Sequence, residues 1–185
     1  MIVLGIDPGL TGALAVVHSE RGLLDTVDLP VCENGTAGGS MRRWLDCAGL
    51  GVLLIDLSAR HQFARESVEA AMERPIPMPS LPAQTIAAQF DTVGALRGML
   101  AARAIPLTMV DPAKWKRAYG LRGGKDAKHE SRMCCLRLYP RAPVGRVRDH
   151  NRAEAILIAD WLIAERYGRR ERAREDAAAE WARAA

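Results

Sequence analysis

Residues 2–18, "IVLGIDPGLTGALAVVH", constrain the fold more than any other stretch of the chain. Two apolar runs of strand length flank a Pro-Gly turn, a pattern that predicts two neighbouring strands joined by a tight turn. One carboxylate, Asp7, ends the first run. An ionised carboxylate in such a place costs several kcal/mol unless something pairs with it. The first question that the sequence raises is therefore what pairs with Asp7.

Further strands and helices alternate along the chain. Three strands with short links come first, which favours antiparallel pairing, and two more strands then alternate with helical segments. The pattern predicts strands at 2–6, 12–17, 23–29, 68–72 and 106–110, a glycine-containing loop at 32–40, and helices at 50–60, 85–103, 112–119, 127–138 and 150–167. We therefore predict one α/β domain with a mixed sheet over residues 1–167, followed by a charged, alanine-rich tail, residues 168–185, that forms a frayed helix.

Composition excludes several classes of protein. Of the 185 residues, 49% are apolar, which excludes a disordered or fibrous chain. No run of about 18 apolar residues is present, so we expect no membrane span, and the N-terminus lacks the basic segment of a signal peptide. We expect reduced thiols and a cytoplasmic protein, because no CxxC or zinc-ligand spacing is formed by the four cysteines, Cys32, Cys47, Cys134 and Cys135.

Positive charge is concentrated in one part of the chain. Residues 112–148 hold eleven Lys or Arg but only two acidic residues, Asp126 and Glu130, which is a net charge of +9 in a chain whose formal charge is +4. Such a segment is typical of a surface that binds a polyanion. On charge alone, a solvated basic surface explains it equally well.

The motif around Asp7 allows three explanations of its partner. A strand-turn-strand carrying Asp7, Gly9 and Thr11 can cradle a phosphate, as in actin-like ATPases and sugar kinases. The carboxylate can instead hold a divalent metal ion, or it can cap backbone amides of the turn. Length disfavours the phosphate cradle, since 185 residues hardly make two lobes. A second phosphate-binding loop is also missing, because "GLRGGKDA" at 120–127 lacks the GxxxxGK[ST] spacing.

A metal site needs further carboxylates, and the strand at 68–72 leads to one. Strand alternation places Glu69 and Glu73 on the same face, and Glu73 lies at the carboxyl end of the strand, where it can meet Asp7. Glu69 is too far back along the strand to share that site. Glu66 precedes the strand and is expected to be solvated.

The last predicted helix supplies another carboxylate. Glu154 shares the apolar stripe that faces the core, so its carboxylate is aimed inward, whereas Asp160 falls off this stripe and is expected to be exposed. One turn earlier lie Asp149, an expected N-cap, with His150 and Asn151, and any one of these three can complete the site. Hard oxygen ligands of this kind favour Mg²⁺ or Mn²⁺.

Three motifs together resemble one known family. "GIDPGLTGALAV" on the first strands, "MERP" after a short strand and "DHNRAEAILIA" on the closing helix stand in the order typical of RuvC-type Holliday-junction resolvases, within the ribonuclease H-like nuclease superfamily, and look most like phage-encoded forms. The resemblance covers residues 1–167. It implies a ribonuclease H-like fold with a five-stranded mixed sheet of order 3-2-1-4-5. It also implies a homodimer that nicks branched DNA in the cytoplasm. For a phage-encoded protein this is the cytoplasm of the bacterial host.

The resemblance also implies roles for individual acidic residues. Asp7, Glu73 and Glu154 match the family's acids on the first strand, the fourth strand and the last helix, although Asp is usual at the third of these positions. The family's remaining acid or histidine falls on Asn151. The implied ligands of two Mg²⁺ ions, replaceable by Mn²⁺, are Asp7, Glu73, Asp149, His150, Asn151 and Glu154, and the implied catalytic residues are Asp7, Glu73, Asp149 and Glu154.

DNA-binding residues are expected in two segments. Lys116 and Lys128 resemble the family's basic residues before and within the penultimate helix. The family's aromatic wedge is replaced here by residues 74–82, "RPIPMPSLP", a proline-rich loop whose apolar side chains either wedge between bases or pack under the long helix or in a dimer seam. The expected DNA contacts are Ile76, Met78, Lys114, Lys116, Arg117, Lys125 and Lys128.

Two questions stay open at the level of sequence. Gly94 and Gly98, four residues apart on the helix at 85–103, permit close approach of a partner helix or of the chain's own sheet, and we favour the sheet. The resemblance implies paired symmetric cuts that leave a 5′-phosphate and a 3′-hydroxyl. The alternatives are a non-catalytic module that binds branched DNA, disfavoured by the intact carboxylates, and a phosphate-loop ATPase, disfavoured by length.

Overall fold

Seven strands and five helices form the part of the chain that the structure describes. This computed structural model describes the backbone of residues 1–35, 41–77, 81–122 and 126–184, and the side chains of all of these except 34, 35, 41, 42 and 169–184. In chain order the elements are β1 (Ile2–Asp7), β2 (Ala13–His18), β3 (Gly22–Asp28), β4 (Val31–Gly35), β5 (Met41–Leu45), α1 (Cys47–Arg60), β6 (Val68–Glu73), α2 (Ala83–Ala102), β7 (Leu107–Val110), α3 (Pro112–Ala118), α4 (Ala127–Leu138) and α5 (His150–Ala184).

Five of the strands form one mixed sheet in the order β3-β2-β1-β6-β7. The β1–β2 and β2–β3 pairs are antiparallel, as their short connections require, whereas β1–β6 and β6–β7 are parallel and are joined through helices. Since β6 and β7 are the fourth and fifth strands that the sequence predicts, the predicted fold class and strand order are confirmed.

The segment between β3 and α1 differs from its prediction. The sequence predicts a loop at 32–40, but β4 and β5 pair as an antiparallel hairpin, from Val31 opposite Leu45 to Gly35 opposite Met41. The strand propensity of its residues does not reveal β4, because Glu, Asn and Gly are poor strand formers. The pairing with β5 therefore decides its conformation. Residues 36–40 of the predicted loop lie outside the described residues.

Helices cover both faces of the sheet, and strand alternation divides the core between them. Ile2, Leu4 and Ile6 of β1 pack with α1 and α2 on one face, while Val3 packs with α3, α4 and α5 on the other. Gly5 lets α5 lie directly on β1, because a Cβ at this position would be 2.0 Å from the carbonyl oxygen of Ala155. The start of α5 is therefore fixed against the end of β1.

α5 runs without interruption to Ala184, so the helix predicted at 150–167 and the helical tail predicted after it form one element, and no Gly or Pro follows Gly168. The outer face of α2 departs from its prediction. Gly94 and Gly98 of α2 face away from the sheet, and a Cβ on either would meet nothing within 4 Å, so the favoured packing on the chain's own sheet is wrong. None of the described helices is both long enough and apolar enough to cross a membrane.

Candidate functional site

Two neighbouring strands place carboxylates side by side at their carboxyl ends. β1 and β6 run parallel with Ile6 opposite Met72, and Asp7 and Glu73 are the residues that follow these two. Ile6 and Met72 point into the core under α1 and α2, so alternation turns Asp7 and Glu73 toward α5. The pairing of the strands therefore produces the first half of the site.

A third carboxylate comes from α5. Because α5 lies on β1 at Gly5, Glu154 is held next to Asp7. Burial, and then the negative charges of Glu154 and Glu73, raise the pKa of Asp7 well above its ordinary value, while Lys116 and Lys128 oppose the rise. Asp7, Glu73 and Glu154, which we call the carboxylate cluster, therefore act on one another electrostatically.

Two members of the carboxylate cluster are oriented by neighbours, and one is not. Glu73 accepts a hydrogen bond from the indole Nε1 of Trp115 at 2.7 Å. Glu154 accepts one from Ser131 Oγ at 3.0 Å and lies 3.8 Å from the Nζ of Lys116. Asp7 accepts no hydrogen bond and forms no ion pair with any residue that the structure describes.

Burial raises the pKa of Glu73 as well, although less than it would without its neighbours. The positive charge of Lys116 and the hydrogen bond from Trp115 oppose this rise, and the charge of Glu154 adds to it. A site with three carboxylates and two nearby ammonium groups, those of Lys116 and Lys128, is short of positive charge. A cation bound among the carboxylates would remove that deficit.

The donor set of the carboxylate cluster suits a hard divalent cation, since it consists of carboxylate oxygens alone. The partly buried Asp7 carboxylate has no partner among the described residues, which is the observation that favours a bound cation. No three His, Cys, Asp or Glu side chains within the described ranges are grouped closely enough to form a coordination sphere. The chemistry of the donor atoms, rather than their present spacing, is therefore what fits a divalent cation.

Comparison with known proteins matches this architecture to solved structures only. No protein-family model matches the chain, and no curated protein matches it by sequence. Thermus thermophilus RuvC in complex with a Holliday junction substrate is similar, with a TM-score of 0.63 and 20% identity over 91% of this chain and 96% of that one. A second T. thermophilus RuvC structure has a TM-score of 0.53 and 20% identity over 91% of this chain and 97% of that one.

The chain has the RuvC fold. At 20% identity the likeness is one of fold, and it confirms the ribonuclease H-like architecture that the three sequence motifs imply. The carboxylate cluster lies on the elements where those motifs were found, which are β1, β6 and α5.

The three polar residues at the start of α5 have partners of their own within this RuvC fold. The carboxylate of Asp149 is bound by Arg146 through its backbone N at 2.8 Å and its Nη2 at 2.9 Å, which lowers the pKa of Asp149. Asn151 donates to the carbonyl oxygen and to the hydroxyl of Thr11, and His150 Nδ1 lies 3.3 Å from a backbone carbonyl oxygen. The structure thus gives Asp149 a capping contact and ties Asn151 to the turn that follows Asp7.

Other acidic residues are used in pairs away from the cluster. Glu69 accepts a hydrogen bond from Arg166 at 2.9 Å, in keeping with its exclusion from the metal site. Glu66 is not simply solvated as predicted, because it binds the α-amino group of Met1 at 3.2 Å. Asp160 is not exposed as predicted, because the hydroxyls of Tyr119 and Tyr139 donate to its two oxygens, and burial together with Asp160 raises the pKa of both tyrosines.

Trp115 and Ser131 are the site residues that the sequence reasoning missed. Trp115 is fully buried and lies 42 residues from Glu73 in the sequence, and Ser131 lies 23 residues from Glu154. The one available signal was an aromatic residue between two lysines, "KWK", in a helix next to the last strand. No periodicity links such residues to an acid on another element.

The basic residues predicted to bind DNA differ in their surroundings. Lys114, Arg117 and Lys128 are all exposed, and Lys114 also lies 3.8 Å from Glu165 and 5.0 Å from the centre of the Trp161 ring. The side chain of Ile76 is 54% exposed, so it does not pack under α2 in the single chain. Lys125 and Met78 lie outside the described residues.

Proposed function

We propose that this chain is a metal-dependent endonuclease that nicks branched DNA and resolves Holliday junctions by paired symmetric cuts. The observation that carries the proposal is the convergence of Asp7, Glu73 and Glu154 from three elements of a RuvC fold, with the partly buried Asp7 carboxylate unpartnered among the described residues. The similar RuvC structure holds a Holliday junction substrate, which supports branched DNA as the substrate here.

The carboxylate cluster would hold Mg²⁺, as two ions per site, with Mn²⁺ able to substitute. Bound Mg²⁺ would activate a water molecule and stabilise the leaving 3′ oxygen, so the products would carry a 5′-phosphate and a 3′-hydroxyl. Trp115 orients the carboxylate of Glu73 through its 2.7 Å hydrogen bond. Lys116 favours the ionised, ligating form of the neighbouring acids, since its charge opposes the rise in the pKa of both Asp7 and Glu73.

The surface around the carboxylate cluster would bind the DNA backbone. Lys128 and Arg117 are exposed, and Lys128 is close enough to act electrostatically on Asp7. Contacts from such side chains to phosphates would position the strand without reading its sequence. The exposed Ile76, three residues after Glu73, would wedge between bases at the branch point.

Two symmetric cuts require two sites, so we propose a homodimer. A four-way junction has two-fold symmetry, and a dimer with one two-fold axis presents its sites in matching positions. Gly94 and Gly98 leave an open strip on the outer side of α2, where a Cβ would meet nothing within 4 Å. We assign this strip to the contact with the second copy.

The test is cleavage of labelled four-way junction, flap and linear duplex with and without Mg²⁺. We expect nicks in the junction only with Mg²⁺, and no nicks from Glu73→Gln, which retains junction binding. Glu69→Gln is the matched control, because Glu69 lies on the same strand and face but binds Arg166. Full cleavage by Glu73→Gln would contradict the assignment of the site.

A non-catalytic module is the alternative outcome of the same assay. Binding of the junction without any cleavage, with either Mg²⁺ or Mn²⁺, would favour a protein that keeps the fold but has lost the chemistry. One observation speaks for it, since the described residues contain no group already spaced as a metal centre.

A further inference from the structure

A cavity of about 550 Å³ lies beside the carboxylate cluster and has no role in the chemistry proposed above. It lies between the β1–β2 turn, β5 and the start of α2, and residues 8–10 of its lining directly follow Asp7. Its size is within the range of pockets that enclose a small ligand or part of a larger one. We call it the β5–α2 pocket.

One wall of the β5–α2 pocket offers a flat apolar surface. Trp44 of β5 is 36% exposed and Leu81, just before α2, is 37% exposed, and both line the pocket. An aromatic ring left partly open beside a candidate nuclease site can stack on any nucleobase, because every base has a π-face.

The start of α2 adds hydrogen-bonding groups without partners to the lining. Gln84, Thr85 and Gln89 of α2 line the pocket, and their side chains make no hydrogen bond to any other residue that the structure describes. Two amides and a hydroxyl can both donate and accept, as the edge of a nucleobase requires.

A positive charge stands at the same pocket. Arg43 of β5 is exposed, lines the pocket and forms no ion pair with the described residues. Its guanidinium can bind a phosphate with two parallel hydrogen bonds. The pocket therefore combines a stacking surface, polar groups and a phosphate-binding group, which is the chemistry of one nucleotide.

We propose that the β5–α2 pocket binds one unpaired nucleobase of the branched DNA, next to the phosphate that is cut. Trp44 stacks on the base, Gln84 and Gln89 bond to its edge, and Arg43 holds the adjoining phosphate. The inference rests on the proposed function, because the pocket adjoins Asp7 through residues 8–10. Branch points suit such a pocket, since an unpaired base costs least to move out of the stack.

The experiment measures binding of four-way junctions that lack a single base. Abasic nucleotides are placed one at a time around the branch point, and affinities are measured in EDTA, so that cleavage is not required. We expect the loss of one base to weaken wild-type binding about tenfold. Trp44→Ala should bind the intact junction about tenfold more weakly and should no longer respond to that abasic position.

Control variants keep the result specific to the pocket. Ile55→Ala truncates another exposed apolar side chain, 56% exposed on α1 and outside the pocket, and should keep the wild-type profile. If Trp44→Ala does not fold, Gln84→Ala tests the same coupling from the exposed start of α2.

Two outcomes overturn the inference. One is a wild-type profile in which no abasic position costs more than about twofold, and the other is a variant of Trp44 or Gln84 that stays as sensitive as the wild type. If the protein still cuts intact junctions with Mg²⁺, either result contradicts base binding by the β5–α2 pocket and leaves the proposed function standing. A position-specific loss of binding in a protein that cuts no junction with Mg²⁺ would contradict the proposed function and leave base binding by the β5–α2 pocket standing.

Discussion

Asp7 and Asp149 are both candidate ligands by sequence, yet their surroundings in the fold are opposite. Asp149 is 5% exposed and its carboxylate is bound by the backbone and guanidinium of Arg146, which lowers its pKa. Asp7 has no partner among the described residues, and burial raises its pKa. A paired carboxylate stabilises the fold, whereas an unpaired and partly buried one costs stability and is available to a ligand. The partner, and not the residue type, separates the two roles.

The largest effect expected from this contrast is on cleavage. Asp7→Asn should slow nicking of a four-way junction with Mg²⁺ by at least about a hundredfold, because losing a metal-binding charge removes several kcal/mol of transition-state stabilisation. Asp149→Asn should stay within about threefold of the wild type, measured at a temperature where it is folded. Single-turnover rates at saturating protein decide this. A hundredfold loss in Asp149→Asn would place it among the catalytic residues, as the family resemblance implies.

A smaller effect of opposite sign is expected on stability. Asp149→Asn should lower the free energy of unfolding by about 2 kcal/mol, since it weakens hydrogen bonds between charged groups. Asp7→Asn should raise it by about 1 kcal/mol without divalent ions, because it removes an unpaired and partly buried charge. Mg²⁺ should stabilise the wild type but not Asp7→Asn. Urea unfolding with and without Mg²⁺ measures all three, and a destabilised Asp7→Asn would show that Asp7 has a structural partner.

The carboxylate cluster could be predicted because local periodicity alone places its members. Alternation along β1 and β6 turns Asp7 and Glu73 to the same side of the sheet, and the 3.6-residue period of α5 turns Glu154 inward. Local patterns also predicted a mixed α/β sheet, whereas the strand order came from the family resemblance and not from these rules. Each of these inferences needs only neighbours along one element.

Contacts between distant elements could not be predicted in this way. Asp160 falls off the apolar stripe, and nothing local shows that Tyr119 and Tyr139 reach it. Asp149 was left ambiguous because an N-cap and a metal ligand use the same residue type at the same place. The β4–β5 hairpin was missed for a related reason, since β4 is a strand only through its pairing with β5.

The distinction between paired and unpaired groups extends to the basic residues. Lys114 and Lys128 are both exposed, but only Lys114 has an acidic partner among the described residues, at 3.8 Å from Glu165, and it lies over the Trp161 ring. Lys128→Ala should reduce the slope of log affinity against log salt by about 0.9, the value for one phosphate contact. Lys114→Ala should change the slope by less than half as much. Equal slopes for the two variants would show that an ion pair within the protein does not keep a lysine from DNA.

The smallest expected effect concerns Glu66, which is a paired carboxylate like Asp149. Glu66 precedes β6, whereas the carboxylate cluster lies at the carboxyl end of that strand. The hydrogen bond from the α-amino group of Met1, and then that from His18, lowers the pKa of Glu66 below its ordinary 4.5. A carboxyl group whose pKa is lower in the folded state contributes stability above its unfolded pKa and loses it as the pH falls through the folded pKa. Glu66→Gln should therefore flatten the loss of stability below about pH 4.5. Glu20→Gln, which changes an exposed acid, should keep the wild-type curve when both are measured by urea unfolding from pH 3 to 7. If Glu66→Gln and the wild type lose stability in parallel as the pH falls, then the ion pair between Glu66 and the α-amino group does not persist in solution. In that case a carboxylate that is paired in the structure need not stabilise the fold, contrary to what we infer for Asp149.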